Sequence, residues 1–141
     1  MTLPVYAAMT GAIILILQQI LMMRVGFHRI NSGVNIGLGA GEDLHLERKV
    51  RRHGNLAENA AIFIVILALA ELVGAPQAAV IGFGTLFIVA RLSHAFAFTS
   101  LAGSHGQEGG KPFAILRIVG AFGNLIATVG LSIYLLFLLI A

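Results

Sequence analysis

Three arginines, Arg51, Arg91 and Arg117, fall inside or at the edge of long apolar runs. An ionisable side chain at membrane depth costs roughly 2.5–3.5 kcal/mol, so such residues face the interior of a helix bundle and take partners there. Each of the three belongs to a helically spaced series. Arg51, Asn55 and Glu58 stand at i, i+4 and i+7 and so share one helix face, and Arg91, His94 and Phe98 do the same. Arg117, Ala121, Asn124 and Thr128 form a third stripe, small and polar. One carboxylate, Glu58, cannot neutralise three guanidinium groups, and the surplus positive charge invites an anionic ligand whose carboxylates match the rigid arginine fork. The alternative is structural: Glu58 pairs with a neighbouring arginine, and Asn55 and Asn124 make interhelical hydrogen bonds. Both readings stay open for any single residue; the coincidence of three arginines favours a ligand.

The elements that must position these residues are membrane helices. Of 141 residues, 58% are hydrophobic and 11% charged, with a mean hydropathy of +0.94. Soluble domains carry about 25% charged residues. Met1 to Met23 contain no charged side chain and no basic segment precedes them, so a retained first helix is expected rather than a cleaved signal. At 1.5 Å per residue that run reaches about 35 Å, enough for a hydrocarbon core of about 30 Å. The apolar runs predict four spans at about 3–24, 45–73, 78–101 and 113–140, the second starting near His45 as a polar helix outside the bilayer core. The breaks are Gly26 to Glu47, the tight Gly74-Ala75-Pro76, and Gly103 to Pro112, where glycine and proline interrupt helices. The expected fold is an all-α integral membrane bundle in one domain.

All nine basic residues lie in or within a few turns of the first or third loop. The positive-inside rule then places those loops in the cytoplasm and both termini outside. The net charge of +3 and pI near 10 suit lipid headgroups or an anionic small ligand, since the basic residues sit in short segments between apolar runs; no nucleic-acid partner is expected. Arg48, Lys49 and Arg52 read as a headgroup-facing cluster. There is no cysteine, so any sulfur chemistry must come from a ligand. His28, His45 and His105 lack metal-ligand spacing, and no metal site is expected. The run Gly37-Leu38-Gly39-Ala40-Gly41 follows no strand and reads as a turn rather than a phosphate loop. Residues 103–110 read as a mobile connector. Gln18 and Gln19 suit either a helix contact or a pocket wall, and Gly123 with Ala127 has the small-xxx-small spacing of close helix contacts.

The segment Arg51-Arg52-His53-Gly54-Asn55-Leu56-Ala57-Glu58-Asn59, preceded by Glu47-Arg48 and followed by an apolar run, resembles the second-helix signature of the MAPEG family, membrane-associated proteins in eicosanoid and glutathione metabolism. Arg91-Leu92-Ser93-His94 resembles its third helix, and the bacterial, microsomal-glutathione-transferase-like branch is nearest in length and loop style. The resemblance implies a homotrimer with glutathione as cosubstrate bound between subunits. By position, Arg51, Asn55 and Glu58 would grip the glutathione backbone, Arg91 would brace Glu58, and His94 would line the pocket. Arg24, or Arg29 in its place, would reach a glutathione carboxylate, and Arg117 would be the thiolate-stabilising arginine. One departure stands out: eicosanoid-type members carry a tyrosine where this chain has Phe98, which donates no hydrogen bond and argues against a specialised leukotriene or prostaglandin synthase.

The activity implied is conjugation of glutathione thiolate to hydrophobic electrophiles, with peroxidase action on lipid hydroperoxides as a second activity in detoxification. Two rivals remain. A non-catalytic relative would keep the fold and bind lipid or glutathione without turnover. A small proton-coupled transporter would use Glu58, although adjacent arginines would hold that carboxylate ionised.

Overall fold

The computed structural model of the chain describes residues 3–39, 43–105 and 110–140. Its elements are α1 (Val5–Ser32), α2 (Leu44–Leu72), α3 (Gln77–Ala97), the short α4 (Leu101–His105) and α5 (Lys111–Ile140), with no strand among the described residues. The four long helices are each long and apolar enough to cross a bilayer. Neighbours run antiparallel. Glu71 near the end of α2 meets the start of α1, Arg48 near the start of α2 meets the end of α3, and Ser93 and Phe83 of α3 meet Leu116 and Gly130 of α5 in reverse order.

Apolar residues at helical spacing build the interior. Leu56, Ala60, Phe63, Leu67 and Ala70 form the buried stripe of α2, packed against Ala7, Ile14 and Leu21 of α1 and Ala127, Leu131 and Leu135 of α5. Phe63 and Phe87 stack at its centre with ring centroids 3.8 Å apart and planes 6° from parallel. On α3 the stripe of Val80, Gly84 and Phe87 continues through Arg91 and His94, so the core-facing side of one helix turns polar toward the basic end. The outer faces of α1 and α5 expose Ile13, Ile16, Ile126, Ile133 and Phe137. In water such a surface would aggregate; lipid tails cover it without cost.

Helix boundaries depart from the sequence reading where polar side chains intervene. α1 does not break at Gly26; it continues to Ser32 and stops at Gly33, whose left-handed φ of 69° caps it. A single mid-helix glycine costs only about 1 kcal/mol, too little to end a helix whose next turn is intact. α3 ends at Ala97 rather than near 101. Arg48 donates to the carbonyls of Phe98 and Thr99, and Thr99 Oγ1 donates to the Phe96 carbonyl at 2.8 Å. The Ser100 hydroxyl accepts from the Gly103 amide at 3.2 Å and starts α4, which runs into the expected connector, whose residues 106–109 lie outside the described residues. Arg48 is therefore a tertiary cap, not part of a headgroup face. At the other side of the bilayer, Gly74 (φ 93°) lets the Ala75 amide reach back to the Ala70 carbonyl at 3.0 Å, closing the tight turn into α3. Gly37 and Gly39 take positive φ in the first loop as the turn reading requires; Ala40, Gly41 and Glu42 lie outside the described residues.

Two carboxylates fasten α1 to α2. Pro4 provides no side-chain cap for α1; instead Glu71, 64 and 65 positions away, accepts from the amides of Ala7 at 2.8 Å and Tyr6 at 3.1 Å. Asp43 caps α2 by accepting from the amides of His45 and Leu46, and its other oxygen meets His28 Nε2 of α1 at 2.6 Å. The His28 hydrogen bond, followed by that from Leu46, holds the Asp43 carboxyl below its ordinary 3.8.

Glu71→Ala should therefore destabilise the detergent-solubilised protein by about 1.5–3 kcal/mol, the worth of hydrogen bonds to a charged group, measured by thermal or denaturant unfolding. A carboxyl depressed in the folded state contributes stability above its unfolded pKa, and the contribution is lost as pH falls through the folded value. The melting temperature of the wild type should accordingly drop as pH falls below 3.8, and Asp43→Asn, which keeps a capping oxygen, should reduce that drop.

Candidate functional site

Arg91 is the most demanding group in the bundle, 3% exposed on the inward stripe of α3. Its guanidinium donates to Asn55 Oδ1 of α2 at 2.6 Å and to Asn124 Oδ1 of α5 at 3.3 Å. Asn124 in turn donates to Asn59 Oδ1 at 3.4 Å, and Asn59 donates to the Asn55 carbonyl at 2.9 Å. One arginine and three amides thus knit three helices. The resemblance has Arg91 bracing Glu58; in the structure the hydrogen bonds of Arg91 go to Asn55 and Asn124, while Glu58 lies on the exposed side of α2 with no direct ion pair among the described residues. Neutral amides take the carboxylate's place because their carbonyl oxygens point into the bundle. Asn59, quoted in the motif without a role, is part of this network.

Beside the network opens a cavity of about 270 Å³ whose wall includes Arg51, Asn55, His94, Phe98 and Arg117. Four of the seven residues singled out from sequence thus meet from α2, α3 and α5, and Arg91 fixes one of them from behind. Because Asn55 Oδ1 accepts from Arg91, the hydrogen-bonding capacity left on this wall residue is its amide N–H₂, which has no partner among the described residues. The rim adds Glu47 and Arg48 of α2 with Ser104 and His105 of α4. His105 Nε2 and Glu47 Oε2 lie 3.4 Å apart, so the one carboxylate of the wall is engaged locally, while Arg48, Arg51 and Arg117 make the cavity cationic.

Phe98 has a constructive place here. Its ring stacks on His94 with centroids 4.7 Å apart and 22° between planes, and the Arg117 guanidinium lies over it, 5.3 Å from the centroid. The cation–π contact, worth about 0.5–1 kcal/mol at an exposed site, steers an otherwise exposed arginine across the cavity mouth. The stack is possible because α5 approaches α3 at Gly120, where an added Cβ would lie 2.7 Å from the His94 backbone nitrogen and Cβ. Gly123 sits against Ala90 in the same crossing. The small-xxx-small pair of Gly123 and Ala127 is therefore spent inside the bundle.

Arg24 and Glu58 stand apart from this cavity. Arg24 lines a second, larger groove of about 740 Å³, with Ile20 and Phe27 on its apolar side and His28, Asp43 and Lys49 at its polar end. Lys49 Nζ is 2.6 Å from His28 Nδ1, which extends the Asp43 clip rather than a headgroup face. Arg29, the alternative to Arg24, reaches the Val34 carbonyl at 3.4 Å. Among the described residues no three His, Asp or Glu side chains converge as a metal site would require.

The fold and this site define a multi-pass helical membrane protein with a cationic cavity at one end of its bundle. The family model for MAPEG matches residues 7–137, and the chain belongs to the MAPEG family. That family includes glutathione transferases and related enzymes as well as non-catalytic members. No curated protein matches the chain.

Gly120→Ala should force α5 away from α3, at a cost of about 1–3 kcal/mol for an overpacked contact. Unfolding in detergent measures that cost, and the shift should also loosen Arg117 from Phe98.

Proposed function

We propose that the protein is a membrane-bound glutathione transferase that conjugates glutathione thiolate to hydrophobic electrophiles reaching it through the bilayer. The observation that carries this reading is the convergence of Arg51, Asn55, His94 and Arg117 on one cavity whose positive charge the protein does not cancel. A glutathione carboxylate would meet the Arg51 guanidinium and the free Asn55 amide, with charge-assisted hydrogen bonds as the driving term. Arg117, held over Phe98, would face the sulfur. A free thiol has a pKa near 8.5 and is only a few per cent ionised at neutral pH. Lowering that by about two units takes roughly 2.7 kcal/mol of preferential thiolate stabilisation, within reach of one nearby cation in a partly dehydrated site. The thiol proton leaves to solvent, and the sulfur lone pair attacks the electrophile and displaces its leaving group. Reduction of a lipid hydroperoxide is a second activity in keeping with the site: two glutathiones supply two electrons and two protons, giving disulfide, alcohol and water.

The cavity's size supports assembly. Ligand pockets typically run about 300–1,000 Å³, and about 270 Å³ within one chain is small for a tripeptide. We infer a homotrimer in which Arg24 and Glu58, exposed on faces away from the cavity, contact glutathione from a neighbouring subunit, Glu58 receiving its amino group. The basic ends of the helices favour an orientation with the cavity toward the cytoplasm, and the resemblance to the bacterial branch supports a bacterial inner membrane as its location. The non-catalytic reading draws on Phe98, which gives the sulfur no donor.

Stopped-flow ultraviolet absorbance on purified protein mixed with glutathione tests the proposal. The wild type should develop a thiolate band and conjugate a chloro-nitrobenzene; Arg117→Ala should lose the band and reduce turnover at least tenfold. A band untouched by that substitution removes Arg117 from its role, and glutathione binding with neither band nor conjugate favours the non-catalytic reading.

A further inference from the structure

His94 is 7% exposed and lines the cationic cavity, yet neither of its ring nitrogens enters a hydrogen bond among the described residues. Arg51, Arg117 and the Asn55 N–H₂ of the wall offer only donors, and the other polar groups of the wall are engaged elsewhere. Arg48 is fastened to the carbonyls of Phe98 and Thr99, Asn55 Oδ1 to Arg91, Glu47 to His105, and Ser104 to His105. A buried polar group without a partner costs about 1–3 kcal/mol, so an unpaired imidazole in the wall of a ligand-sized space points to the ligand as its missing partner.

The two ring nitrogens are not equivalent. Nδ1 is enclosed and unpaired, and so is Nε of Arg91, one turn earlier on the same inward stripe. The Arg91 nitrogen can only donate, and a fixed cation one turn away favours a lone pair on the enclosed Nδ1. The ring proton then belongs on Nε2, the nitrogen that is not enclosed. The close passage of Gly120 fixes the His94 backbone and Cβ, and stacking on Phe98 holds the ring plane, so Nε2–H has a set direction. We propose that His94 donates a hydrogen bond from Nε2 to the anionic sulfur of the bound thiol, acting with Arg117 as a second stabiliser of the thiolate. This rests on the glutathione reading above and assigns a catalytic contact that Phe98 cannot make. No proton is taken up by the imidazole; the thiol proton leaves to water, and the neutral ring supplies only its N–H.

Glutamine and asparagine separate the two nitrogens. A glutamine amide reaches the place of Nε2, whereas an asparagine amide reaches only that of Nδ1, and both keep polarity and the Cβ that packs on Gly120. The thiolate band of glutathione bound to wild type, His94→Gln and His94→Asn is followed against pH. In His94→Asn the midpoint should rise by about one pH unit, a tenfold loss of thiolate at a given pH below it, with the dissociation constant changed less than threefold. His94→Gln should restore most of the wild-type midpoint. If the asparagine protein does not fold, His94→Phe, which keeps the stack on Phe98, takes its place with the same expectation. A wild-type midpoint in the asparagine or phenylalanine variant overturns the proposal, as do equal shifts in the glutamine and asparagine variants, which indicate packing alone. Absence of any thiolate band in the wild type sinks the glutathione reading and this inference with it.

Discussion

A guanidinium sealed inside a membrane bundle must find acceptors within the protein, because lipid offers none. Arg91 meets that constraint with the carbonyl oxygens of Asn55 and Asn124, one from each helix flanking α3. Three consequences follow from this one arrangement. The basic ends of α2, α3 and α5 are held in register, the Asn55 oxygen is committed to Arg91 so that its N–H₂ stays available, and no carboxylate pairs directly with the buried charge among the described residues. A carboxylate partner would have neutralised it. Amides leave the positive charge in place beside a space able to receive an anion.

The second organising feature is the close passage of α5 over α3. Glycine at 120 and 123 lets the helix backbones approach, and this carries Arg117 to Phe98 and thereby to the same wall as His94. The sequence series Arg91, His94 and Phe98 shares one helix face, and the three do different jobs in space. Arg91 braces Asn55 from within the core, Phe98 contacts both the Arg117 guanidinium and the His94 ring, and His94 has hydrogen-bonding capacity to spare. The Phe98 ring, which has no hydrogen-bonding group of its own, thus acts by positioning its neighbours.

Outside the site, long-range caps set the helix ends. Glu71 accepts from the first amides of α1, Asp43 caps α2 and reaches His28 of α1, and Arg48 donates to the carbonyls released where α3 stops. Each ties a helix terminus to a side chain of another helix, which restrains the bundle at both membrane faces while its flanks remain free for lipid.

Four apolar runs with charge confined to two loops determined the spans and their antiparallel order, because hydrocarbon tolerates only helices with satisfied backbones. Helical spacing likewise determined which residues share a face, and so drew Arg51 with Asn55, and Arg91 with His94. The sequence motif also carried the family. Tertiary structure alone decided who partners whom. Glu58 faces out while Asn59 faces in, Gly26 leaves α1 unbroken, Arg48 and Lys49 bond within the protein, and Arg24 stands apart from the cavity within one chain. Periodicity specifies direction around a single helix axis, whereas these outcomes depend on distances between axes, and those are fixed by the side chains of other helices.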